Sequence, residues 1–301
     1  MKKIILILHL SVFATYLQAQ NEAELVSVGY RTIAQASLEN SNYSDLNDVS
    51  SAHTFYTFSF NYGQPLKDTT FFILYGLSYE NVNQKLDLTN VTQDTDWDLL
   101  PENYYQQPQY SQLSLSVGVS KSLPKGWSLS GIFYTNVIDD FFKPELPTNI
   151  NFGGMAFIEK EHNKRFTYGA GLLLVELERK IFASPVVSFK YQNEKRGIEA
   201  LIPAKLRLWQ KINKKSYLEA SVYNNFYSIE YQPDNDVIST DILSFKPELT
   251  YNYLWEDFLK LSIGIDLPLR DVTVSAKKET FKYQQNSLGF NIGLSLVIGR
   301  D

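Results

Sequence analysis

The chain has 301 residues, a net charge of −5, no cysteine, and 14% aromatic residues dominated by tyrosine and phenylalanine. No cysteine means no disulfides, thiolate metal sites or cysteine nucleophiles. A mildly acidic chain without a long basic run argues against nucleic acid as a partner.

The first element is a leader. Lys2 and Lys3 precede an apolar run from Ile4 to Ala14, and Leu17-Gln18-Ala19 places a small residue before Gln20. That order of basic, apolar and small residues marks a secretory signal peptide over residues 1–19, leaving 20–301 as the exported part. The absence of cysteine near the cleavage site excludes lipid attachment there. No later segment reaches the ~18 consecutive apolar residues of a membrane helix.

Beyond the leader the hydropathy period is two. Leu113-Ser114-Leu115-Ser116-Val117-Gly118-Val119-Ser120 has one aliphatic face and one face of serine and glycine. Leu259–Leu267 and Leu288–Leu296 repeat the split, the former with Lys260 and Asp266 on the polar face. Such alternation means strands with one apolar and one polar side. Strands of about ten residues, long enough to cross a bilayer at a tilt, favour a membrane barrel over a soluble sandwich. Trp127, Trp209 and Trp255 lie near strand ends, where indoles suit the headgroup boundary.

Short turns, often carrying lysine, are expected near 63–69, 123–126, 160–165, 192–197, 211–215 and 255–258. Long polar loops are expected near 39–51, 81–108, 138–148, 231–240 and 270–284. Bacterial barrels keep short turns in the periplasm and long loops outside. Reading 197–211 as one strand gives an odd count and puts two short turns on opposite sides. A tight turn around Ile202-Pro203-Ala204 repairs this, because proline cannot donate to a ladder. The expectation is therefore an all-β, antiparallel, up-and-down transmembrane barrel of about fourteen strands, with twelve the next choice. The loop 81–108 carries Asp87, Asp94, Asp96, Asp98 and Glu102, read first as a solvated loop and second as a divalent-cation site at lipopolysaccharide.

Three stretches give a resemblance to a known family: the signal peptide, the segment Ser184-Pro185-Val186-Val187-Ser188-Phe189-Lys190-Tyr191, and Ile198-Glu199-Ala200-Leu201-Ile202-Pro203-Ala204-Lys205-Leu206. On these the chain resembles bacterial outer-membrane barrels catalogued as a domain of unknown function. The resemblance implies an outer-membrane barrel and no particular activity. Many barrels end on an aromatic residue, whereas this chain ends Val297-Ile298-Gly299-Arg300-Asp301.

Catalysis finds little footing. After the leader only His53 and His162 remain as histidines. His162 falls in a charged turn, and His53 begins a strand after Ser50 and Ser51, so no nucleophile, base and orienting group come together. No catalytic residue, metal ligand or cofactor site is assigned. Gly153-Gly154 and Gly169-Ala170-Gly171 lie in alternating strands, where small residues let side chains fit.

The informative chemistry is the inward face. Alternation places Arg31, Lys190, Lys205, Arg207, Glu219, Lys246, Glu248, Lys260 and Asp266 there. Lys205 and Arg207 are expected to meet Glu219. Lys246 or Glu248 is expected to meet Lys260 or Asp266. One reading is a salt-bridge network that stiffens the lumen; the other is a passive channel or binding conduit for a small polar solute. A non-transporting structural or surface-interaction barrel is the alternative, with a lipid-modifying enzyme a distant third. The expected surroundings are outer-membrane lipid, lipopolysaccharide and the barrel-assembly machinery. The sequence does not name a solute or protein partner.

Overall fold

The computed structural model describes residues 23–37, 50–65, 70–87, 109–139, 149–177, 180–231, 238–256, 258–276 and 279–298. The leader, 1–19, the acidic stretch 88–108 and the chain end at 299–301 lie outside the described residues. Alternating β-branched, aromatic and small polar residues suit a pleated ladder with one dry face. They form sixteen strand segments among the described residues.

In chain order these are β1 (Ala23–Ser37), β2 (Ser50–Pro65), β3 (Phe71–Asp87), β4 (Gln109–Leu123), β5 (Trp127–Asp139), β6 (Asn149–Asn163), β7 (Phe166–Leu177) and β8 (Lys180–Gln192). There follow β9 (Arg196–Ile202), β10 (Lys205–Lys211), β11 (Ser216–Tyr231), β12 (Ile238–Trp255), β13 (Leu259–Asp266), β14 (Leu269–Ala276), β15 (Glu279–Asn286) and β16 (Gly289–Ile298). Every pairing is antiparallel, β1 to β13 pair in chain order, and β16 closes on β1. β13 and β14 pair with successive halves of β12, and β15 and β16 likewise continue one another. The sixteen segments therefore make fourteen staves of a closed barrel.

The split at Pro203 is present: β9 and β10 are separate short strands joined by Pro203-Ala204. The long loop expected over 270–284 is not. β14 and β15 pair from Leu269↔Asn286 to Ala276↔Glu279, so that region is a hairpin extending the wall. Likewise, residues 81–87, expected as part of a loop, are strand in β3. Polar strand residues beyond the apolar belt look like loop in sequence, yet their backbone groups still pair.

Outside, the wall is apolar. Leu115, Val117 and Val119 are exposed, and so are Leu261, Ile263, Ile265, Phe290, Ile292 and Leu294; Leu113 is half-buried on the same face. Their alternates Ser114, Ser116, Gly118, Gly264 and Ser295 are buried on the inner side. An exposed apolar band around a closed sheet belongs in hydrocarbon, where closure leaves no unpaired edge. The described short connections cluster at the end where β1 begins and β16 finishes. Three of them are built alike: Asn163, Asn193 and Asn213 each accept, through Oδ1, the backbone N–H of Arg165 (2.9 Å), Lys195 (2.9 Å) and Lys215 (2.8 Å). Asparagine folds back on its own chain this way, which explains both the tightness of these turns and the basic residues they display.

Candidate functional site: a lumen with two unlike walls

The inner face changes character around the barrel. On β5–β9, away from the short turns, it is apolar: Ile132, Tyr134, Met155, Phe157, Leu173, Val175, Val186, Leu201 and Ala204 form one buried cluster. Glycine makes room for its rings, since a Cβ at Gly153 would overlap Tyr134 and one at Gly171 would lie 2.5 Å from Phe157 Cβ. Neutral polar groups cover β4–β5, where Gln112 Nε2 donates to Ser114 Oγ at 2.9 Å and to Asn136 Oδ1 at 3.3 Å.

Charged groups occupy the short-turn side of β6, β8 and β9 and continue over β10–β13 to β1, beside a small apolar cluster of Ile33, Phe55 and Val82. On β10, Arg207 donates from Nη2 to Glu219 Oε2 on β11 at 2.7 Å. Its Nη1 lies 3.6 Å from Glu199 Oε2, directly across the ladder on β9. Lys205 takes the other oxygen of Glu199, at 3.8 Å. The Tyr223 ring lies between two ammoniums, with Lys205 Nζ 5.6 Å and Lys246 Nζ 5.1 Å from its centroid. Lys246 meets Glu248 on its own strand at 2.9 Å. Lys190, on the inner face of β8, is opposite Glu199 in the ladder. Nearby, Ser188 Oγ donates to Glu159 Oε1 at 2.9 Å.

At the seam between first and last staves, Arg31 grips Asp266 with two bonds, Nε to Oδ2 at 2.7 Å and Nη2 to Oδ1 at 2.8 Å. The guanidinium carbon also lies 4.9 Å from the Phe55 ring centroid. Lys260 is bonded to Glu24. Gly289 faces Asp266, and a Cβ there would collide with the carboxylate.

Two expected pairings are corrected. Lys205 has its ion pair with Glu199, not with Glu219. Neither Lys246 nor Glu248 forms an ion pair with Lys260 or Asp266. Glu248 and Asp266 are direct ladder partners, so two carboxylates face each other. Arg31 and Lys246 neutralise them from the flanks, and Asn291 Nδ2 donates to Glu248 Oε1 at 3.3 Å and Asp266 Oδ2 at 3.5 Å.

Glu24 was missed because β1 carries a bulge. Ser27, Gly29, Arg31 and Ile33 are on the inner side, so simple alternation sends residue 24 outward. The register slips between Glu24 and Val26, which returns Glu24 to the inside opposite Val297. Glu159 and Glu199 needed no such slip, since each keeps the parity of buried neighbours on its strand. Trp209 also differs from expectation. It points inward, packs against Tyr217, Leu254 and Val297, and rests on Gly197, whose absent Cβ would lie 2.5 Å from its Nε1. The parity of Lys205 and Arg207 already implied that direction.

The two histidines lie at opposite ends of the wall. His53 is buried on the inner face, its ring stacked on Phe55 at 6.1 Å, and not on the lipid-facing rim. His162 is exposed in its turn, edge-on to Phe166 at 6.3 Å.

Fold and lumen together define a transmembrane antiparallel β-barrel of the outer-membrane type. No family model matches the sequence, and no curated protein matches it. Among solved structures, an outer membrane channel from Pseudomonas putida F1 shares 10% identity over 91% of this chain and 94% of that one, with a TM-score of 0.49. A deletion mutant of the TodX monoaromatic hydrocarbon channel shares 8% identity over 93% and 91% of the two chains, with a TM-score of 0.44. The KdgM porin shares 8% over 91% and 99%, with a TM-score of 0.31. These likenesses are loose and concern strand architecture alone.

Proposed function

We propose that this chain is an integral outer-membrane protein, exported by a leader cleaved after Ala19, whose barrel is a passive conduit or binding cavity for a small solute. One observation carries the reading. Each of the ion pairs just described joins groups on one strand, on neighbouring staves, or on staves one apart. The ion pairs therefore run along the wall, beside the apolar patch of β5–β9. Such an interior suits a molecule with a polar or charged end and an apolar body, with the charged wall setting selectivity. Membership of the uncharacterised barrel family rests on the 184–191 and 198–206 segments. Lipid, lipopolysaccharide and the assembly machinery are the partners such a location entails.

The test is single-channel recording of the purified barrel in planar bilayers. Discrete ohmic steps, with an ion selectivity that shifts in the double variant Glu219→Gln/Asp266→Asn, support the conduit. A folded, heat-modifiable barrel that stays silent overturns it. A second reading has its own support in the depth of burial of Glu199, Lys205 and Asp266. A network so enclosed would stiffen a barrel that acts through its outer surfaces. The same double variant would then lose thermal stability and remain non-conducting.

A further inference from the structure

The barrel wall has a notch. β9 climbs from the short-turn end only as far as Ile202, opposite Val187 of β8. β10 descends from Lys205, opposite Tyr223 of β11. Both flanking strands continue past the hairpin, β8 through residues 180–186 and β11 to Tyr231. They do not pair with each other. Seven unpaired residues at about 3.3 Å each, across three strand spacings of about 4.8 Å, describe a gap on the order of 23 Å by 14 Å.

The surroundings say what the gap faces. The hairpin tip is Ile202-Pro203-Ala204, with Ile202 59% exposed and Pro203 exposed, a composition unlike the polar connections elsewhere at that end. Above the tip the outer face stays apolar: Leu172 and Leu174 of β7 are exposed opposite Pro185 and Ala183 of β8. The tip thus ends within the lipid-facing belt and not at its outer margin. On β8 the usual alternation of exposure fails, since Ile181, Phe182 and Ala183 are all exposed, Ile181 at 77%. That is the pattern of a strand with no ladder partner on that side among the described residues. Proline is also at home on such an edge, and Pro185 occupies it. Asn224 finishes the lower lip, its backbone N–H donating to Ala204 O at 3.0 Å and its Nδ2 to Pro203 O at 2.6 Å. Just inside the lip lie Val186, Leu201 and Ala204, three members of the apolar inner cluster.

We infer that the gap above the β9–β10 hairpin is a lateral portal, through which a membrane-soluble apolar or amphipathic small molecule passes between the bilayer and the apolar wall of the lumen. The inference rests on the conduit reading for what happens further along the lumen. Apolar surface is continuous from the lipid belt over Ile202 to Leu201 and Val186. Lys205, the ladder partner of Leu201, stands on the β10 side of the lip, where the apolar path meets the first of the ion pairs.

The absence of native cysteine permits a direct test. Single variants Phe182→Cys and Ser184→Cys place thiols on the inner face of β8 at the notch. Thr57→Cys places one on the inner face of β2, where strands pair on both sides. Val187→Cys reports the outer, lipid-facing surface. Each folded, heat-modifiable variant is reconstituted in phosphatidylcholine vesicles and reacted separately with bilayer-borne pyrene-maleimide and with a water-soluble sulfonated maleimide. The portal predicts that Phe182→Cys and Ser184→Cys react with pyrene-maleimide within about threefold of Val187→Cys and at least tenfold faster than Thr57→Cys. Rates at both notch positions no greater than at Thr57→Cys overturn it. The sulfonated reagent reads the conduit separately: no reaction at Thr57→Cys speaks against an open lumen and leaves the portal result intact.

Discussion

Replacing Asp266 by leucine should be among the costliest single changes in the barrel. The Asp266 side chain is fully buried, and Arg31, 17% exposed, spends two hydrogen bonds on it. Leucine removes the charge and both acceptor oxygens, is bulkier than aspartate, and leaves a guanidinium facing an apolar group. Removing one member of a buried pair costs about 3–5 kcal/mol, because the survivor keeps its desolvation penalty. Partial exposure of Arg31 and its contact with Phe55 put the expected loss near the lower end, about 3 kcal/mol, or a little over a hundredfold in the folding equilibrium. The double variant Arg31→Met/Asp266→Leu removes both charges and should fall within about 1 kcal/mol of the parent. The coupling between the two sites is then about 2 kcal/mol or more. Urea-titrated folding into phospholipid vesicles, followed by tryptophan fluorescence and heat-modifiable mobility, measures all three. A single variant within 1 kcal/mol of the parent, or a double variant as unstable as the single, would refute the argument that the pair is a buried, mutually dependent unit.

Arginine at Ile263, on the lipid face, should cost roughly 2–4 kcal/mol in the same assay if the residue sits near the midplane, whereas arginine at Trp255, at the strand end, should cost about 1 kcal/mol or less; equal costs would contradict the depth assignment. Valine at Gly197 should destabilise by roughly 1–3 kcal/mol through collision with the Trp209 indole, and adding Trp209→Ala should recover part of that loss in urea titrations. Protease added to intact cells should cut the connection between Asp87 and Gln109 and spare the turns bearing Lys125, Lys164, Lys195 and Lys214; the opposite pattern reverses the orientation.

Most of the barrel was legible because its physics is local. Facing lipid on one side and a lumen on the other imposes a period of two, and Leu113–Ser120 shows that period without interruption. Pro203 disclosed the β9–β10 hairpin because a missing N–H cannot be hidden in a central ladder. Residues 270–284 misled because polarity marks what solvates a side chain and does not decide whether the backbone pairs. Glu24 was invisible for a sharper reason: one extra residue in β1 reverses parity, and no composition rule locates a bulge. Ion-pair partners were only half readable. Hairpin neighbours could be inferred, which gave Arg207 with Glu219. Glu24 with Lys260 and Arg31 with Asp266 cross the closing seam and skip β16, so finding them required knowing how the first and last strands align. The notch was equally hidden, since strand length matters there only in comparison with neighbours on either side.

That seam bears on how the barrel comes to be closed. Arg31 and Asp266 are separated by 235 positions in the chain, and Glu24 and Lys260 by 236. Neither pair can form until nearly the whole polypeptide is in place, so both belong to the last event of assembly, when loop-closure entropy is greatest. They also discriminate between alignments. A slip of one residue between β1 and β16 would turn charged side chains toward hydrocarbon. A slip of two would keep them inside but pull Arg31 about two residues, or some 7 Å, away from its carboxylate. The seam thus works as a proofreading step: only one closure both hides the charges and satisfies them, and a misaligned barrel is left with unpaired ions at the joint by which it would have to reopen.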